Sequence, residues 1–279
     1  MHRDIDIIIE ILLDRLPFVA KGIIAVRSEN ENFIDNPDDP TEHVPNWHQF
    51  GIITHTKIVL ESYTNKVKEL FEEWGIKDRI NKKLQSEIDG ITKGDLIKIG
   101  IILHDIGKFA RNIEVTDGTI KHNFYGHEAI SEKLIITENS LVNELLKDEL
   151  NLSVSQIKYI GRMAGLHFEL GKSRDAARKS IKGYSIEFSN SEECEKALLN
   201  IASLYPDYKE EIGLLFLCDS LGKTDIRIKA KNDEEIEKQE IFIYESIKKR
   251  NLNPKLVTAI KQLPVNMAIC KKYLQIIYK

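Results

Sequence analysis

Four of the eight histidines join two aspartates in an ordered set: His55, the adjacent pair His104-Asp105, His127, His167 and Asp219. Imidazole nitrogen with carboxylate oxygen is the mixed donor set that suits Mn, Fe, Co, Ni or Zn. It suits Mg less as histidines accumulate. An ion held this way acidifies water and polarises the oxygens it touches. Adjacent His and Asp side chains diverge by about 100° in mid-helix, so they reach one ion together only at a helix end. Gly107 fits such an end or a local distortion. The two oxygens of Asp105 also allow it to bridge two ions.

The elements that must carry these residues are mostly helical. Ile5, Ile8, Ile9, Leu12, Leu13 and Leu16 follow the i, i+3, i+4, i+7 stripe, and Pro17 follows it. The polar segment Ser28–Asn46, with Pro37, Pro40 and Pro45, reads as a long loop and a candidate lid. A helix is predicted from about Trp47 to Gly75, carrying His55. Another begins at Thr92, an N-cap with Asp95 three residues on, and runs through Leu96, Ile97, Ile99 and Ile102 to His104. Residues 113–121 alternate around Asp117-Gly118 and read as a β-hairpin with a type I′ turn. Helices are then predicted at 128–137, 141–149, 155–164, 192–204, 208–221, 233–249 and 255–278. The expectation is an all-α chain with one small hairpin. It forms a single domain over 1–279: an N-terminal helix and loop (1–44), a core of about 45–225 and a C-terminal helical extension (230–279).

Hydrophobic residues make up 42% of the chain and charged residues 30%, a balance that supports a buried core rather than disorder. The net charge of -4 gives no general pull toward nucleic acid or membrane. Cys194, Cys218 and Cys270 form no CxxC pair and read as reduced thiols in a cytoplasmic setting. The first residues lead into a stripe broken by Glu10, Asp14 and Arg15, which does not read as a signal peptide. The apolar runs at 99–103 and 212–218 are too short to span a bilayer.

Four local words appear in order: Trp47 to Thr56 (WHQFGIITHT), Ile101 to Lys108 (IILHDIGK), Phe124 to Glu128 (FYGHE) and Leu217 to Gly222 (LCDSLG). Over roughly 45–225 this resembles the HD superfamily of metal-dependent phosphohydrolases. The wording is most similar to the HD domain attached to some bacterial tRNA nucleotidyltransferases and to its stand-alone relatives. The resemblance implies an all-α HD-domain helical bundle that cleaves phosphomonoesters, phosphodiesters or nucleotides with one to three metal ions. Matched position by position, it implies His55, His104, Asp105 and Asp219 as the four-residue signature. It also implies His127 and His167 as the further histidines of binuclear members, hence two ions. About 45 residues precede the matching region, too few for a nucleotidyltransferase domain, so CCA addition is not expected.

Further roles follow within that reading. Lys108, one turn past His104, can neutralise developing phosphoryl charge or assist the leaving oxygen. A helix-end lysine favoured by the helix dipole is its ordinary explanation. Gly171–Lys182 holds Lys172, Arg174, Arg178, Lys179 and Lys182 against Asp175 alone. It reads either as a flap whose Arg174, Arg178 and Lys179 grip a substrate phosphate, or as a solvated loop. Arg162 and Arg111 are further phosphate candidates. Glu128 either orients an imidazole or is a first-turn helix glutamate. His2, His43, His48 and His122 match no ligand position and are taken as surface residues, with His48 and His122 close enough to motif words to touch substrate. The expected substrate is a nucleotide or other small phosphorylated metabolite. A binuclear site favours diester cleavage, and a mononuclear site favours monoester or triphosphate hydrolysis. The competing readings are a non-catalytic metal- or nucleotide-binding module and an RNA end-processing enzyme. For the latter, Lys172–Lys182 would be the local basic surface.

Overall fold

The structure is a computed structural model that describes residues 4–31, 47–110, 113–116, 119–122, 124–178, 186–226 and 233–279. Its helices in chain order are α1 (Ile5–Glu31), α2 (Ile52–Glu61), α3 (Val67–Glu73), α4 (Lys77–Leu84), α5 (Lys93–Leu103), α6 (His127–Ile136), α7 (Leu141–Glu144), α8 (Val154–Leu166), α9 (Glu169–Arg178), α10 (Glu192–Leu204), α11 (Lys209–Gly222), α12 (Asp233–Arg250) and α13 (Pro254–Ile277). Two antiparallel hairpins join them: β1 (Glu87–Ile88) with β2 (Ile91–Thr92), and β3 (Ile113–Thr116) with β4 (Thr119–His122). The fold is all-α, as expected. The β3–β4 register pairs Thr116 with Thr119, leaving the two-residue connection that the Asp-Gly pattern predicts.

The chain forms two compact units. One holds the described residues within Met1–His43, Gly51–Leu60 and Asn81–Leu166. The other holds those within Val44–Phe50, Glu61–Ile80 and His167–Lys279. The first is organised around α5, where Leu96, Ile97, Ile99, Ile101, Ile102 and Leu103 are all buried. A helix that is apolar all round belongs inside its unit, and each such side chain contributes about 1.5–3 kcal/mol. Helices α1 and α8 pack on α5, and α6 packs on α8. Thr92 caps α5: its hydroxyl accepts from Asp95 N at 3.1 Å and donates to the Asp95 carboxylate at 2.8 Å.

The second unit repeats the plan around α11, buried over nearly its whole length from Glu210 to Gly222. Helix α13 packs against α9, α10 and α11, so the last stretch of the chain is part of this unit's core. Helix α12 lies on α13 through a small cluster of Ile226, Ile243, Leu256 and Ile260.

Several boundaries differ from the sequence reading. Pro17 lies inside α1, which runs on to Glu31. The buried side chains of Leu16, Ala20, Ile23 and Ile24 continue the stripe past it. Their burial outweighs the roughly 3 kcal/mol that an interior proline costs. Residues 28–31 of the expected loop Ser28–Asn46 are therefore helical, and its residues 32–46 lie outside the described ones. The helix placed at Trp47 begins at Ile52, and a π-helical turn, Ser62–Lys66, separates α2 from α3. The β1–β2 hairpin was not expected. Its turn is Asp89-Gly90 with φ of 48° and 84°, both left-handed, as a type I′ turn requires. The basic stretch is helical through Arg178 in α9 rather than a loop, and Lys179 and Lys182 lie outside the described residues.

Candidate metal centre

In the first unit, α5 ends at Leu103, with His104 as its C-cap and Asp105 in the turn that follows. A 3-10 turn, Ile106–Ala110, comes next, and Lys108 N bonds back to Asp105 O at 2.9 Å. The break from α to 3-10 geometry lets two successive side chains serve one place. Gly107 is obligatory here. A Cβ on it would lie 2.3 Å from His127 O and 2.6 Å from Ser131 N, both backbone atoms of α6. Its own N–H donates to Ser131 Oγ at 2.9 Å. The glycine thus brings the His-Asp turn into direct contact with the start of α6, where His127 sits. Gly126, at φ +76°, supplies the left-handed residue that starts α6.

His55 projects from α2 and is buried, as are His104 and Asp105. His55 Nε2 lies 3.7 Å from Asp105 Oδ2, and His104 Nε2 lies 3.4 Å from the same oxygen. His127 Nε2 lies 3.0 Å from Asp105 Oδ1. Three imidazoles therefore converge on one carboxylate. Lys108, also buried, pairs with Asp105 Oδ2. Burial raises the Asp105 carboxyl, but His104, Lys108 and His127 together hold it well below the usual carboxylate range, so it is anionic.

The opposite faces of two rings identify their protonation. His104 Nδ1 lies 2.6 Å from Ile101 O, and His127 Nδ1 lies 2.8 Å from Phe124 O. A carbonyl oxygen only accepts, so each Nδ1 carries a proton. With Nδ1 so committed, Nε2 is the nitrogen that each ring turns toward Asp105. A backbone carbonyl on one nitrogen with metal on the other is the usual tautomer arrangement of a ligating histidine. The donor set of His55, His104 and Asp105, whose ligand atoms all lie within 4.8 Å of one another, fits a divalent cation. Glu128 is buried with Oε2 3.6 Å from His127 Nδ1, near the ring but beyond hydrogen-bond distance, and the Phe124 carbonyl takes that nitrogen instead.

The remaining expected site residues are distributed as follows. Arg162, on α8 in the first unit, is engaged by Glu132 at 3.2 Å. His167 and Asp219 belong to the second unit, and both are buried. Arg174 also belongs there and is only 5% exposed. Its guanidinium pairs with Asp175 and donates to Asn266 Oδ1 at 2.6 Å, and Asn266 Nδ2 in turn donates to Ser220 Oγ at 3.1 Å. Arg174 is thus a link among α9, α13 and α11. Arg178 ends α9, and Arg111, like Lys179, lies outside the described residues.

Sequence reasoning missed His48. It is 4% exposed rather than a surface residue, and it offers a ligand atom within 4.8 Å of one from Asp219. Its place in the word that also carries His55 was the available signal. His2 and His43 lie outside the described residues. Cys194, Cys218 and Cys270 are buried and form no disulfide. Among the described residues no helix is long and apolar enough to cross a membrane. No family model matches the chain, and no curated protein matches it.

Proposed function

We propose that the chain is a metal-dependent phosphohydrolase of the HD type, cleaving a phosphoester of a nucleotide or another small phosphorylated metabolite. The observation that carries this reading is the convergence of His55, His104 and His127 on Asp105, with the Lys108 ammonium on the same carboxylate. Three nitrogens and an anionic oxygen favour Mn, Fe, Co or Ni over Mg. A divalent ion bound there supplies Lewis acidity, polarising phosphoryl oxygens and acidifying water near neutral pH.

The chain's own residues supply the rest. The Ile101 and Phe124 carbonyls fix the ring orientation of His104 and His127, so both would hold a bound ion through Nε2. Asp105 would add the anionic ligand, and its Oδ2 faces His55 and His104 while its Oδ1 faces His127. Lys108 supplies positive charge for the phosphoryl oxygens as charge builds on them. The burial of His55, His104 and Asp105 strengthens each of these interactions by excluding water.

The test is hydrolysis of p-nitrophenyl phosphate and of bis(p-nitrophenyl) phosphate by chelator-stripped protein reloaded with Mn, Co, Ni or Mg. Asp105→Ala should abolish metal-dependent turnover while circular dichroism stays helical. Wild-type turnover in that variant would overturn the proposal. Metal binding without turnover of either ester would return the chain to the class of metal-binding modules.

A further inference from the structure

Helix α12 has two faces of different character. One is accounted for within its unit. Ile243 is buried with Ile226, Leu256 and Ile260, and Ile247 packs against that cluster. Both terminal nitrogens of Arg250 grip Asp225, at 2.6 and 3.1 Å, and tie down the end of the helix. The other face is apolar in the middle and exposed. Ile241, Phe242 and Tyr244 are 61%, 60% and 66% accessible to solvent. A single exposed apolar residue is ordinary, but three together at mid-helix form the kind of patch that marks an interface. Glu237, Ile241, Tyr244 and Lys248 follow one another at intervals of four, three and four residues. At about 100° per residue they keep to one line along the helix, on the side away from Ile243. That spacing is the seam of a two-helix coil.

The charges choose the occupant. Glu234 and Glu237 are exposed toward the N-terminal end of α12, and Lys248 and Lys249 toward its C-terminal end. We propose that this face docks on the same face of a second copy of the chain, with the two α12 helices antiparallel. When Ile241 lies against the second copy's Tyr244, Glu237 comes opposite the second copy's Lys248. The twofold axis repeats each contact, so two apolar pairs fill the centre and a Glu–Lys pair closes each end. A parallel pairing would set Glu237 on Glu237 and Lys248 on Lys248, which repels. Phe242 flanks the seam beside Ile241 and adds apolar area to the centre. Such a self-complementary contact closes on itself and stops at the dimer. The 18 residues of α12 span about 27 Å. One helix pair of that length is a small interface, so the dimer belongs to the weak, micromolar class. The proposal draws nothing from the metal centre and stands or falls apart from the phosphohydrolase reading.

The experiment is sedimentation velocity of the full-length chain from micromolar to millimolar concentration. Wild type is compared with Ile241→Glu, Glu237→Lys, Lys248→Glu and the two charge reversals combined. Wild type should pass from monomer to dimer as concentration rises. Ile241→Glu should stay monomeric throughout. Each single charge reversal should weaken association about tenfold, because the twofold axis turns two attractive pairs into two repulsive ones. The combined reversal should restore wild-type association, since the same pairs form again with signs exchanged. All three side chains are exposed, so circular dichroism and urea midpoints should match wild type in every variant. A wild-type chain that stays monomeric throughout would overturn the proposal and leave the face to a different protein. A dimer that persists unchanged in Ile241→Glu would overturn it as well. A dimer that Ile241→Glu abolishes but that the combined reversal fails to restore would overturn the antiparallel pairing.

Discussion

His127 Nε2 faces Asp105 Oδ1 at 3.0 Å while the other nitrogen of the same ring is bonded to the Phe124 carbonyl. The ring is thus anchored at the back and directed at the carboxylate in front. Removing it should lower the metal content of the first unit without unfolding α6. His127→Ala should bind fewer ions per chain in metal-saturated protein, measured by elemental analysis after desalting. An unchanged stoichiometry and affinity would make His127 a structural histidine.

Gly107 is the tightest point in the centre, because its missing Cβ leaves room for the backbone of α6. Backbone atoms cannot swing aside as a side-chain tip can. Gly107→Ala should cost at least about 1–3 kcal/mol, the usual range for overpacking, and should weaken metal binding through displacement of His127. Urea denaturation and Co(II) titration read the two effects separately. Wild-type values in both would show that the turn relaxes freely.

Lys108→Met separates electrostatics from ligation. The ammonium repels a cation held by Asp105, so its loss should leave metal affinity equal or tighter. It should also lower kcat/KM for phosphoesters at least about tenfold, a change of about 1.4 kcal/mol in transition-state stabilisation. A fall in metal affinity with unchanged kcat would assign Lys108 to holding Asp105 in place.

Arg174 is buried among Asp175, Asn266 and, through Asn266, Ser220. Arg174→Ala should therefore destabilise the protein by about 1–3 kcal/mol, the cost of leaving a buried polar partner unsatisfied. A change in KM for an anionic substrate with intact stability would instead restore the phosphate-gripping role.

The buried thiols give an alkaline signature. Burial pushes the Cys194 thiol up to about 11, and burial also raises Cys218 and Cys270. An unfolded thiol ionises near about 8.5. With the folded value higher, the contribution to stability is complete below about pH 8.5 and is lost as pH rises through the folded value. The urea midpoint should fall across that range, and more steeply in wild type than in Cys194→Ala. Ellman's reagent at about pH 8 should label the native thiols far more slowly than the unfolded ones.

The helical pattern was legible because the apolar residues recur at helical spacing, and the end of α5 was legible because a His-Asp pair can share an ion only there. The β1–β2 hairpin carries the same Asp-Gly signal as β3–β4, but its strands are two residues long and show no alternation to read. Pro17 misled because propensity is local, whereas the stripe through Ala20, Ile23 and Ile24 finds its partners elsewhere in the unit. His48 was passed over because burial of a residue in an irregular segment depends on its fastening. Gln49 secures it to residues 223–225, far along the chain and invisible to spacing. The Arg174 network was hidden for the same reason.

The two units draw their segments alternately from the chain, and this shapes the order of assembly during synthesis. Every described part of the first unit is available once Leu166 has emerged. The second cannot close until residues 167–279 arrive to meet segments made long before. Residues 47–50 and 61–80 must therefore wait, with Phe71, Trp74 and Ile76 uncovered in the meantime. Such waiting surfaces are where aggregation and chaperone capture concentrate. A nascent chain halted after α8 should hold a formed His55–His104–Asp105 centre and sticky segments on either side of α2.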